Sequence, residues 1–572
     1  MRSYSYIFLL IAMLTFAASA QTPTPTPADD TQNVKPEKLE GVPQVAPNYQ
    51  QDDRSFPDLG RVGVDMLRQH PMTLREAITL ALDNNKDIEV SRQNVRLAEF
   101  DLRGARGYYE PRLTGQTYFE TSKTPNVSIF SSNPTTGNDS IVGNVGLVGA
   151  LRGFGTSYSA TVSSQRVTTN NPISILSPQS NSSFNLSLTQ PLWRGRGFDG
   201  PRRSIEIAKR SLSLTDAQFR QRSIDIITTV QRAYWDLVFA LRNLQVQRDG
   251  VRDAKDQLAH NKRLVEEGQL APIDVVAAET QVANIEQGVY EALENVGRAE
   301  NVLKNLIAKN KDDGLWSEAL VPTDPVDLDA PRTTLPEALG LALENRPEVE
   351  LNNVQKDINQ IDQRFYRDQK KPQVDLTASY TSAGVGGSQN PNFSSFIPSP
   401  CSTDPTGQAC QEQIARINAL TGSSATDVFL NRYPTFRVGV TINLPIGNST
   451  AEAALGKSLV AGEQIRTQRE QIEQGIQVDV RNALQTIRTA EARLRSAAIS
   501  RENSQKQYES EQRKLDAGQS DIYKVLERQT ALMIAKSSEL RAQTELNKAI
   551  ADLQRATGNS LKANNIEARL RK

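Results

Sequence analysis

Histidine, cysteine and net charge are the scarce features of this 572-residue chain. With two His (His70 and His260) and two Cys (Cys401 and Cys410), most Cys- and His-built metal sites are excluded. A His-dependent hydrolase would have little to draw on, so no catalytic residue, metal or cofactor is expected. Basic and acidic side chains number 66 each, so no net field draws the chain to nucleic acid or an anionic surface. Long apolar runs are missing too. Past residue 20 no window approaches the ~18 apolar residues of a spanning helix, and mean hydropathy is −0.49. If the mature chain enters a membrane at all, it must do so as β-strands, which satisfy their backbone groups between neighbours.

What is present begins with an envelope address. Met1–Arg2 precedes the apolar run Tyr6–Ala18, and Ala18-Ser19-Ala20 reads as a cleavage site, so residues 1–20 are expected to be a secretory signal. No Cys follows that site to take a lipid anchor. Residues 21–71 are expected to form a Pro-rich linker, with Thr-Pro-Thr-Pro-Thr-Pro at its start.

One unit is then written twice. Thr73-Leu-Arg-Glu-Ala-Ile-Thr-Leu-Ala-Leu-Asp-Asn recurs as Thr334-Leu-Pro-Glu-Ala-Leu-Gly-Leu-Ala-Leu-Glu-Asn. The offset of 261 holds without a gap to Pro111 and Pro372. Both copies open with a capping-box pattern, Thr73 with Glu76 and Thr334 with Glu337. Later, Gln190-Pro191-Leu192 pairs with Leu444-Pro445-Ile446, and Glu267-Gly268-Gln269 with Ala517-Gly518-Gln519. Each copy reads helix, strands, Pro break, very long helix, Gly turn, helix. Repeat 1 is placed at 72–308, a linker at 309–333, repeat 2 at 334–558 and a tail at 559–572.

The long helices follow from spacing. Leu212, Phe219, Ile226, Val230, Ala233, Leu237, Leu241 and Leu244 recur mostly at three and four, as do Ile472, Ile476, Val480, Ile487, Ala490 and Leu494. Residues 203–266 contain no Pro and would reach roughly 95 Å as one helix. Strand patterns alternate instead: Phe184, Leu186 and Leu188; Val374, Leu376, Ala378 and Tyr380; Phe436, Val438, Val440 and Ile442. The spans Thr124–Asp139 and Gly384–Arg432 read as loops. If both helices of a copy lie on one side of a membrane, its strands must be even in number. Two per copy gives four per chain, too few to close a barrel, whose smallest form has about eight. Several chains must then share one wall. The segment Ile141–Thr169 could add a further hairpin, which leaves open whether each chain supplies four strands or six.

Taken in this order, these motifs resemble the TolC family of outer-membrane channel proteins. The resemblance covers roughly 72–308 and 334–558. It implies a mixed membrane α+β fold: a homotrimer sharing a twelve-stranded barrel in outer-membrane lipid, continuous with a long periplasmic α-helical barrel. It also implies a passive exit duct for a tripartite efflux pump or a type I secretion system, joined through a periplasmic adaptor (membrane fusion) protein to an inner-membrane transporter. By that resemblance Gly268, Gln269, Leu270, Gly518, Gln519 and Ser520 are adaptor-docking candidates at the periplasmic tip. Asp274 and Glu527 match acidic pore-gate positions, where three carboxylates around a pore would attract cations. Lys524 stands where the family pattern usually has another acid. The competing class is a secreted or surface adhesive protein built of coiled coil.

Two motifs are weighed separately. Gly195-Arg-Gly197-Phe-Asp-Gly200 matches a dinucleotide fingerprint but lacks the βαβ context, and is expected to swing the chain from strand into helix instead. Cys401 and Cys410 stand nine apart in the large loop of the second copy; a loop-closing disulfide and two free thiols are both open readings.

Overall fold

The computed structural model describes residues 60–126, 134–326, 329–393 and 399–566. The signal span 1–20, the linker up to residue 59 and the end of the tail, 567–572, lie outside the described residues.

Repeat 1 contains α1 (Leu74–Asn84), α2 (Lys86–Arg106), β2 (Arg112–Pro125), β3 (Thr135–Ala150), β4 (Ser157–Thr169), β5 (Leu176–Pro191), α3 (Gly200–Glu266) and α4 (Pro272–Ile307). Repeat 2 contains α5 (Leu335–Asn345), α6 (Pro347–Gln369), β7 (Gln373–Gln389), α7 (Pro400–Thr403), α8 (Gln408–Leu420), α9 (Ser424–Phe429), β8 (Tyr433–Asn443), α10 (Ser449–Asp516) and α11 (Ile522–Ala556), and the tail adds α12 (Ser560–Ala563). The opening helices are 11 residues each, and the long helices are 67 and 68. The 261-residue offset is therefore a structural one.

Both opening helices start at a threonine in extended conformation. The Thr73 hydroxyl accepts from the Glu76 N–H at 3.2 Å, and at the second start the Thr334 N–H donates to the Glu337 carboxylate at 3.5 Å. At the break into α3, Gly195 takes φ +81° and its N–H donates to Asp368 at 2.6 Å. Asp199 then caps α3, with Pro201 in the first turn. Gly195 thus turns the backbone where the strand passes into the helix.

Each repeat has its own core. In the first, Leu212, Phe219, Ile226, Val230, Ala233, Leu237 and Leu244 of the α3 stripe are buried against α1, α2 and α4. In the second, Ile476, Val480, Ile487 and Ala490 of α10 are buried with α5 and α11. Charges then tie the repeats together along α3. Arg203 pairs with Asp362 of α6 at 2.7 Å, Arg210 with Asp357 at 3.3 Å, and Arg220 with Glu350; Arg232 donates to Asp552 of α11 at 2.9 Å. Helices α2, α3, α6 and α10 pack in that order.

The spans expected as linkers carry structure. β1 (Asp65–Met72) pairs in parallel with β6 (Glu318–Pro322). Glu300 of α4 holds this pair: its carboxylate accepts from the Leu320 N–H at 2.8 Å and faces Arg61 at 2.9 Å and Lys304 at 3.4 Å. Burial pulls the Lys304 ammonium below its ordinary pKa, and its Nζ donates to the Trp316 carbonyl at 3.1 Å. From α3, the buried Tyr234 hydroxyl donates to Asp324 at 2.7 Å and lies 3.1 Å from the Met72 carbonyl oxygen. A polar sequence without periodicity gave no sign of this, because its order comes from partners about 250 residues away. The tail folds back as well: Ser560 is buried and Lys562 donates to Asn345 at 2.9 Å.

The strand count decides what the sequence left open. β2, β3, β4, β5, β7 and β8 form one antiparallel six-stranded sheet in that order. Repeat 1 supplies four strands, because Ile141–Thr169 lies in a hairpin paired on both sides within the sheet. Three copies would carry more than the twelve strands that the resemblance implies.

Candidate functional site: the strand wall and the helix tips

The sheet has one apolar and one polar face, and both run across all six strands. Leu113, Leu147, Ala160, Leu186, Tyr380 and Phe436 lie in register as one row. One residue along, the row reads Thr114, Gly146, Thr161, Asn185, Thr381 and Thr435 on the other face. The apolar face is open: Leu113 is 76% exposed, Phe436 72% and Ile442 61%. A contiguous apolar face of this size marks contact with lipid or protein.

All four helix–strand junctions lie at one end of this sheet, as the order of elements requires. The β3–β4 turn lies there too. Gln190 at the β5 break donates to the Phe154 carbonyl at 3.0 Å, and Arg152 stacks over Tyr109, just past α2. At the opposite end, the span read as a loop holds α7, α8 and α9. Ser182 and Ser424 share a hydrogen bond of 2.8 Å, and Ser382 donates to the Val428 carbonyl at 2.9 Å. Gly384 and Gly386 permit this approach, since a Cβ on either would lie within 2.1 Å of a backbone oxygen. Cys401 and Cys410 are joined as a disulfide in this segment.

Far from the strands, each long helix ends in a glycine turn. Gly268 takes φ +75° and Gly518 φ +70°, the left-handed region that closes a helix at little cost only for glycine. Gln269 N–H donates to the Leu264 carbonyl at 2.8 Å, and Gln519 N–H to that of Lys514 at 2.8 Å. Gln269 and Gln519 are exposed; Leu270 and Ser520 are half-buried. The two turns share one end of the bundle: Ala277 of α4 packs on Leu515, Ile522, Val525 and Leu526, and Gln281 donates to Thr530 at 2.8 Å.

The gate candidates sit differently from one another. Asp274 is half-buried, and its carboxylate accepts from the Ala271 N–H at 3.1 Å, capping the start of α4. At the matching start of α11 the cap residue is Asp521, whose own side chain accepts from the Tyr523 N–H at 2.9 Å. The position equivalent to Asp274 is thereby released from capping, and Lys524 occupies it, exposed. Glu527 is exposed one turn further on. The nearby Glu511 carboxylate is held below its ordinary range, first by the Ser520 hydroxyl and then by Lys514. Sequence reading missed three exposed apolar side chains at the tips, Ile273, Val276 and Tyr523; their only signal is that they break the buried stripe.

Comparison with known proteins agrees with this architecture. A family model described as outer membrane efflux protein matches residues 143–309 and 338–559, more than half of the chain and split as the repeat is. No curated protein sequence matches. Among solved structures, the outer membrane channel CmeC of Campylobacter jejuni is 14% identical, with 86% of this chain and 90% of that one covered and a TM-score of 0.57. The outer membrane protein VceC of Vibrio cholerae is 14% identical, covering 85% and 96%, at 0.58. The open MtrE outer membrane channel of Neisseria gonorrhoeae is 16% identical, covering 85% and 89%, at 0.56. A membrane-ready sheet joined to paired long helices, a duplicated plan and the family match set aside the secreted adhesin: this chain belongs to the outer membrane efflux proteins, the TolC-like, non-enzymatic channel family of the outer membrane.

Proposed function

We propose that three copies of this chain form the passive exit duct of a tripartite efflux pump or type I secretion system. The strands span the outer membrane, and the helices reach into the periplasm. There the turns at Gly268-Gln269-Leu270 and Gly518-Gln519-Ser520 receive a periplasmic adaptor, which links the duct to an inner-membrane transporter. The observation carrying this reading is that the two-faced sheet and the Gly turns lie at opposite ends of the same long helices. Ile273, Val276 and Tyr523 extend the docking surface with exposed apolar area. Asp274 and Glu527 supply negative charge at the narrow end, and Lys524 opposes it.

The test is electrical. Asp274→Asn keeps an oxygen for the Ala271 N–H but removes the charge. Combined with Glu527→Gln it should lower cation preference in planar bilayers, and Lys524→Gln should raise it. Unchanged selectivity in both variants would remove these residues from the pore. A photo-crosslinker at Gln269 or Gln519 should capture an adaptor in intact cells; capture from a mid-helix position alone would move docking away from the tips.

A further inference from the structure

We infer that the outer-membrane wall of this channel is closed by second and third copies of the chain into 18 strands, not twelve. The inference rests on the trimeric channel reading and adds to it the width of the lumen. The strands β3 and β4 carry it. β3 pairs without interruption with β2 from Thr135 to Val148 and with β4 from Asn138 to Ala150; β4 pairs with β5 from Ser157 to Val167. A hairpin lying outside the wall would have no need to keep the wall's face parity, because a one-residue slip exchanges the faces. Here Leu147 and Ala160 fall in the apolar row, and Gly146 and Thr161 in the polar one. The polar face also joins hairpin to wall directly, through Ser163 and Ser183 at 2.7 Å. At its turn, Gly155 takes φ +71°, and a Cβ there would stand 2.9 Å from the Gly195 carbonyl oxygen. The turn is thus seated on the break where β5 becomes α3.

The remaining open edges are β2 and β8. β2 leaves the helical end and β8 returns to it, so the β8 of one copy can pair antiparallel with the β2 of the next. In lipid these edges cannot stay unpaired, and a trimer that pairs them has three sets of six. With strands about 4.8 Å apart and tilted about 40°, such a barrel is about 36 Å across its backbone, against about 24 Å for twelve strands. The helical part has a matching width. Four helices abreast per chain, α2, α3, α6 and α10, give twelve in a trimer; spaced about 9.5 Å apart they form a ring also about 36 Å across. The duct therefore passes from helices to strands without a taper, into a lumen lined chiefly by hydroxyl and amide side chains.

Two measurements on full-length trimers in outer-membrane extracts test this. The chain's two cysteines are bonded to each other, so a single introduced cysteine is the only label site. A nitroxide at Ala378→Cys on β7 marks the wall whichever strand number holds. Symmetry-related backbones should lie about 31 Å apart in the wide barrel and about 21 Å in the narrow one, the label adding equally to both. A separation near the larger value, about one and a half times the smaller, is expected. The second variant, Ser163→Cys with Ser183→Cys, should bond spontaneously in the membrane. The short separation, or free thiols at 163 and 183 in intact trimers, overturns the 18-strand wall while leaving the channel standing. Absence of membrane trimers would overturn both.

Discussion

At the residue scale, the two tips solve one capping problem in two ways. Ala271 offers no side-chain acceptor, so Asp274 reaches back to its N–H; Asp521 caps for itself. Asp274→Ala should then loosen the start of α4 by about 1 kcal/mol, and Lys524→Ala should leave α11 unchanged. Amide exchange over residues 271–275 and 521–525 checks both. A pH effect follows at the second tip. The Glu511 pKa is depressed by Ser520 and Lys514, so its contribution to stability is complete above the unfolded value of about 4.3 and fades as pH falls through the folded value. Limited proteolysis at residues 517–520 should accelerate on acidification below that range. Ser520→Ala should narrow the difference between neutral and acid rates; an undiminished difference would acquit this contact.

At the element scale, the sequence announced whatever depends on neighbours close in the chain. Stripe spacing placed the long helices, and the residues it picked in α3, such as Phe219 and Val230, are buried. Alternation placed β5, β7 and β8. The hairpin of β3 and β4 was read only in part, because Gly143, Gly146 and Gly149 dilute its alternation and its pairing partners are remote. The β1–β6 pair was invisible for the same reason. The helices α7 to α9 hide in a Ser- and Pro-rich span whose order comes from the disulfide and from the glycine seat on β7. Opening that bond should therefore act locally. Cys401→Ser with Cys410→Ser is expected to destabilise the α7–α9 segment by about 2–3 kcal/mol, judged from its short loop. Protease sensitivity between 399 and 432 should rise while the trimer's heat resistance holds; loss of the trimer would tie the segment to assembly instead. Of the tip candidates, the turn glycines were legible because φ above zero selects them. The exposed Ile273, Val276 and Tyr523 were not, since exposure is decided by which neighbours arrive.

At the scale of the whole molecule, facing is the property that matters. Val438 belongs to the apolar face, and Thr441 to the polar one. An arginine at Val438 should cost about 2–4 kcal/mol per chain at mid-bilayer, and one at Thr441 close to nothing. The yield of heat-modifiable trimer in outer membranes should fall sharply for Val438→Arg and hold for Thr441→Arg; equal yields would reverse the assignment of faces. The swap of caps at the tips also reaches this scale. Duplication makes six near-equivalent hairpins in a trimer, yet one kind presents a carboxylate and the other an ammonium at the same structural position. Around the ring of the proposed trimer the sign alternates, so the clefts between hairpins fall into two electrostatic kinds, and the adaptor proposed above would meet one charge pattern at the seam within a subunit and its mirror at the seam between subunits.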